Sequence, residues 1–178
     1  MARDGLAEHR DRFPAFLIGH KNGIVAKWLD RASLDFKDRQ LLLRERDRFR
    51  NPVGVTLNEN LALLFDALVD GAPADVLKSC LEPIVRLRAV QDSEAGKETA
   101  FILDLKEIVR GEMKAAQDRA GTEGFAAFEI RVAAAALVAE DLLNSCRARI
   151  SEIKANEALR RTYVSRRLAA ARPARTSA

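Results

Sequence analysis

An all-α fold of six or seven helices is what the sequence predicts, on three observations. Apolar residues recur at spacings of three and four in segment after segment, which is the period of a helix with one buried face. No segment shows the strict apolar–polar alternation of a half-buried strand. Pro52, Gly71, Pro73, Gly121 and Gly124, residues of the two types that most strongly punctuate regular structure, mark segment boundaries.

A first helix is predicted from Phe13 to Ala32, with Phe13, Leu17, Ile24 and Trp28 along one side and Pro14 in its first turn. His20 lies between Leu17 and Ile24 and is read as a hydrogen-bonded core or boundary residue. The charged residues 1–12 are expected to be poorly ordered. Asp35 is a candidate cap for a second helix over Phe36–Arg48, with Leu41, Leu42 and Leu43 at its centre.

The third helix, Pro52–Asp70, has the clearest boundaries. Asn51 suits the N-cap because its side-chain oxygen can accept from an otherwise unpaired backbone N–H. Pro52 suits the next position, where no N–H is required and its fixed φ is already helical. Leu57, Leu61, Leu64, Phe65 and Leu68 form the apolar stripe, and Gly71 and Pro73 close the segment. A capping role alone predicts that Asn51→Asp is tolerated.

A fourth helix is predicted from Ala74, broken at Glu82 by Pro83 and resumed to Gln91. Asp92 or Ser93 is the expected cap of a fifth helix running to about Arg119, with Ile102, Leu105, Ile108, Val109 and Met113 as its stripe. Gly121 and Gly124 bracket a turn. Phe125, Phe128, Val132, Ala135, Ala139, Leu142 and Cys146 then form the seam of the longest helix. Because Ile130, Ala134 and Leu137 make the opposite side apolar as well, that helix is expected to be central and buried on all sides. Beyond Cys146 the pattern thins to Ile150, Ile153 and Leu159, and the helix is expected to continue toward Arg167, leaving 168–178 as a disordered basic tail. One helical domain over 13–167 is the resulting organisation.

Composition narrows the function. The 178 residues are 48% hydrophobic and 31% charged, ordinary for a globular chain able to bury a core. No run approaches the ~20 apolar residues of a membrane span, and the N-terminus lacks a signal-peptide core, so a cytoplasmic protein is expected. Cys80 and Cys146 read as small core residues in a reducing compartment. Arg160, Arg161, Arg166, Arg167, Arg172 and Arg175 fall in a C-terminal stretch without Asp or Glu. Without those six the net charge of +4 becomes −2. Nucleic-acid association through this stretch is one alternative function.

His9 and His20 are the only histidines, and neither lies on a later helix where a haem globin carries its proximal ligand. No metal-binding histidine motif, cysteine cluster, phosphate loop or nucleophile elbow is present. The carboxylate pairs Asp66/Asp70 and Glu98/Asp104 are read as solvated helix-surface residues. No catalytic residue, cofactor or metal is therefore assigned. Arg86 and Arg88 project in different directions from one helix. A buried arginine requires a carboxylate or a bound anion to offset its desolvation. Arg88 and Asp92, four apart, are one candidate pair. A ligand or anion pocket around Trp28, Arg86 and Arg88 is the second alternative function.

Two strings stand out, Arg48-Phe49-Arg50-Asn51-Pro52-Val53-Gly54 and Arg86-Leu87-Arg88-Ala89-Val90-Gln91-Asp92. With Ile24 and Trp28, Phe101 to Lys106, Cys146-Arg147 and Ile153 to Glu157, they resemble the N-terminal domain of the RsbT co-antagonist proteins, the RsbRD N-terminal domain family. The resemblance spans about Phe16 to Tyr163. It departs from the family at Ser93-Glu94-Ala95-Gly96, where relatives carry an aromatic residue and a proline-containing helix start. It implies a globin-like sensor domain without haem, standing ahead of a STAS domain in bacterial stress-signalling complexes. Trp28, Arg86, Arg88, Gln91 and Asp92 are the candidate ligand or interaction residues, and Asn51, Pro52 and Gly54 the candidate structural motif. STAS-domain proteins or kinases would be the partners, with no room for a STAS domain on this chain. The long last helix leads to the further expectation of a homodimer.

Overall fold

The computed structural model describes residues 4–90, 98–116 and 122–170. Among them the fold is all helical, with six helices: α1 Asp4–Ala32, α2 Arg39–Arg44, α3 Pro52–Asp70, α4 Ala74–Ala89, α5 Ala100–Ala115 and α6 Thr122–Ala170. The chain divides into two units, Met1–Leu143 and Asn144–Ala178.

In the first unit α3 packs on α4, α1 packs on α5 and α3, and α2 lies against α3. Trp28, Phe65, Phe128, Leu17, Ile24, Leu57, Leu61, Leu64, Leu81, Ile84 and Ile102 are fully buried. Burying each aliphatic or Phe side chain contributes about 1.5–3 kcal/mol. Phe13 meets Phe125 and Phe128 edge-on, with centroids 6.1 and 5.8 Å apart. Lys21–Asp66, at 2.7 Å, ties α1 to α3, and Lys27–Glu112 ties α1 to α5.

Several boundaries differ from those the sequence predicts. α1 begins at Asp4, because Leu6–Phe13 holds good helix formers and no breaker. α2 is only six residues long and starts beyond Phe36, which is buried in the preceding turn. α4 runs unbroken through Pro83. The missing donor and ring clash cost roughly 3 kcal/mol, and burial of Leu77, Leu81, Ile84 and Val85 on both sides of the proline offsets that. α5 starts at Ala100 after Thr99, so neither Asp92 nor Ser93, which lie outside the described residues, caps it. Glu98, read as solvated, is buried.

Gly124 is not in a turn but in the first turns of α6. A Cβ there would stand 2.6 Å from Phe13 Cβ, so its role is close approach between α6 and α1. The seam Phe128, Val132, Ala135, Ala139 and Leu142 is buried as predicted. The opposite strip is not: Ile130 is 71% and Leu137 64% exposed. α6 therefore lies at the edge of its unit with one face inward, not at its centre. His20 is exposed, bonded through Nδ1 to the Phe16 carbonyl and stacked on the Phe16 ring.

In the second unit α6 continues as a single helix to Ala170, and every side chain from Ser151 to Arg167 is exposed. Residues 171–178 lie outside the described residues.

Candidate functional site

The site is built where α2 ends and α3 begins. Both ends of the Asn51 amide are hydrogen-bonded. Its Oδ1 accepts from Gly54 N at 2.8 Å, the N-cap bond the sequence predicts. Its Nδ2 donates to the carbonyls of Leu41, Leu42 and Glu45 at 3.1, 3.1 and 2.8 Å. Those carbonyls belong to the C-terminal end of α2, where backbone partners run out; of the three, Leu41 O also accepts from Glu45 N–H at 3.1 Å. One side chain thus satisfies the N-terminus of α3 and the C-terminus of α2 together, which explains why α2 stops at Arg44.

Gly54 completes the motif. A Cβ at this position would stand 2.2 Å from Asn51 Nδ2 and 2.6 Å from the Leu42 carbonyl oxygen. The Asn-Pro-x-Gly string is therefore a joint between two helices. The cap bond is present, but capping alone does not account for the three further contacts, and on this geometry aspartate at 51 is expected to be destabilising. A carboxylate has no N–H to give three carbonyls.

Arg88 is the second buried polar residue, 2% exposed. Its Nη1 pairs with Asp35 Oδ2 at 3.4 Å, and its Nη2 donates to the Ala32 carbonyl. The guanidinium carbon lies 4.4 Å from the Phe101 ring centroid and 5.6 Å from that of Phe36. Burial lowers the Arg88 pKa; Asp35, and behind it Glu98, act in the opposite direction. Asp35, read as a helix cap, is in fact this arginine's counter-ion, and Asp92 lies outside the described residues. Arg86 points outward and pairs with Glu82 at 2.7 Å.

Trp28 is buried, donating from Nε1 to the Phe101 carbonyl at 2.8 Å, with its ring 6.4 Å from Phe101. Trp28 and Arg88 thus meet opposite parts of one residue, Phe101, as core, and Arg86 is not with them. Gln91 lies outside the described residues.

The two strings nevertheless converge. Arg50, Asn51, Pro52 and Val53 from the first and Val90 from the second line one cavity of about 480 Å³, with Asp35, Phe36, Lys37, Asp38, Leu41 and Leu42. Its lining is mixed, with apolar side chains beside Asn51 and charged residues of both signs. Next to Arg50, Phe49 is 97% exposed on a turn held by its N–H donating to Asp47 Oδ1 at 2.8 Å. Leu41 and Val90 are exposed as well. Sequence reasoning missed Asp35, Phe36, Leu41 and Leu42 as site residues, and the mixed spacing of Leu41–Leu43 was their only signal. Among the described residues no cluster of His, Cys, Asp or Glu could hold a metal ion, and no helix is long and apolar enough to cross a membrane.

The fold and site define an all-helical domain with an open, amphipathic groove beside a rigid helix joint. Comparison with family models, curated proteins and solved structures finds no match to the chain.

Proposed function

We propose that the protein is a non-enzymatic regulatory module that works by protein–protein contact, its docking site being the groove between α2 and the start of α3. The observation that carries this reading is the meeting of both sequence strings at one cavity of mixed apolar and charged lining, next in sequence to an aromatic ring left almost wholly in water. Exposed aromatic and aliphatic residues with a polar rim are the composition of interaction hot spots. The resemblance to the RsbRD N-terminal domain supports the same class and adds a bacterial stress-signalling setting with STAS-domain or kinase partners. A second copy fits the exposed Ile130 and Leu137 strip of α6, which would make the module a homodimer.

A photo-crosslinking residue at position 49, introduced in the source cells, tests the reading. One specific protein should be captured, and Leu41→Asp should abolish both the capture and direct binding of that protein in purified form. Unselective capture, or binding unchanged by Leu41→Asp, would contradict it. A small ligand in the same cavity is a second reading, favoured by a volume inside the usual range of ligand pockets. Native mass spectrometry showing a retained mass that Val53→Trp removes would favour it.

A further inference from the structure

The second unit carries a charged and partly apolar surface of its own. From Asn144 to Ala170 α6 has seven basic residues and two acidic ones, a net charge of +5. Their placement is not uniform. Cys146, Ile150, Ile153, Glu157 and Val164 follow one another at helical spacing and share one face. Arg149, Arg160 and Arg167 border that face on one side, and Lys154 and Arg161 border it on the other. Leu159 and Tyr163 lie on the far side, with the Arg167 guanidinium 5.8 Å from the Tyr163 ring centroid. Ile153 and Val164 are exposed, and Cys146 and Ile150 are half-buried. An isolated helix draws most of its stability from packing of an apolar face, and this face has no such packing among the described residues from Ser151 to Arg167.

We infer that this stretch of α6 docks a protein partner bearing an apolar helix or groove whose rims are lined with carboxylates. Charge complementarity decides among occupants. A second copy of the same stretch would set basic border against basic border in either orientation, which is repulsive. A bilayer would have to take Glu157 into the centre of the inserted face, against the composition of interfacial helices. Duplex DNA offers phosphates but nothing apolar to cover Ile150, Ile153 and Val164. An acidic-rimmed protein surface satisfies the strip and both borders, with a single cation or polar donor opposite Glu157. The inference does not depend on the groove in the first unit.

The test uses the full chain and four probes. These are a synthetic helical peptide with a leucine seam flanked by glutamates, the same peptide with glutamines, a short DNA duplex, and phosphatidylcholine vesicles containing phosphatidylserine. The glutamate peptide should bind at least about tenfold more tightly than the glutamine peptide and more tightly than DNA or vesicles. Hydrogen exchange through 146–164 should slow in that complex. Ile150→Ser with Ile153→Ser, and separately Lys154→Glu with Arg161→Glu, should each weaken binding by about tenfold or more. Thermal unfolding of the first unit should be unchanged in both variants, so loss of binding is not loss of fold. Tighter binding to DNA or to vesicles would overturn the proposal. So would glutamate-peptide binding indifferent to the isoleucines, or self-association through this stretch in the absence of any probe.

Discussion

Asn51 and Arg88 are each 2% exposed and each joins separate elements, yet they do so by different physics. Asn51 is neutral and bonded at both ends of its amide: one acceptor and two donor hydrogens serve four backbone groups at the α2–α3 junction. Arg88 is charged and, besides its bonds to Asp35 and the Ala32 carbonyl, is held by surroundings that are not hydrogen bonds, two aromatic rings and the field of Glu98. Its Nε has no hydrogen-bond partner among the described residues. The amide joint is directional and depends on atoms in place; the arginine node depends on volume and charge. Substitutions that keep shape but change donors should therefore injure the first, and should cost the second less than volume loss does.

The largest effect is expected at the arginine. Arg88→Ala removes one partner of a buried pair and the stem packed on Phe101, a change that typically costs about 3–5 kcal/mol. Asp35 keeps 37% of its side chain in water and can be rehydrated, which places the expected loss near the lower end, about 3 kcal/mol. Urea unfolding measures it. Arg88→Met should recover part of that loss by keeping the volume. If Met is no better than Ala, packing against the rings is not what holds the node.

Gly54→Ala follows. The added Cβ meets the Leu42 carbonyl as well as the Asn51 amide, so backbone must move, at a cost of about 1–3 kcal/mol. The loss should shrink in an Asn51→Ala background, where part of the obstruction is gone. Simple additivity in that double-mutant cycle would show that Gly54 and Asn51 are not one joint. The smallest effect is expected at Phe49→Ser. The ring is in water, and stability should move by less than about 0.5 kcal/mol while partner capture at the groove is lost.

How far the sequence reveals this depends on the range of each interaction. α3 was legible end to end, because its cap, its proline and its left-handed Gly71 (φ 67°) are all local signals. The inward seam of α6 was legible for the same reason. The outward strip was not, since Ile130 and Leu137 look like core until the neighbours on that side are known to be absent among the described residues. Pro83 reads as a break in isolation and is overridden by packing on both sides. The counter-ion of Arg88 stands 53 positions earlier in the chain, and no local pattern points to it. Likewise Asn51 reads as a cap because Gly54 is three residues on, whereas its other partners are carbonyls that only folding brings within reach.

The claim that Asn51 is a two-ended joint is tested most directly by the stability difference between Asn51→Asp and Asn51→Ala in urea. A cap alone predicts that aspartate keeps nearly all of the stability and that alanine loses about 0.5–2 kcal/mol. The joint predicts the reverse order. Aspartate should be the worse of the two, by about 1 kcal/mol or more, because it removes the amide donor and also sets a carboxylate against three carbonyl oxygens. Aspartate matching the unsubstituted protein would contradict the account.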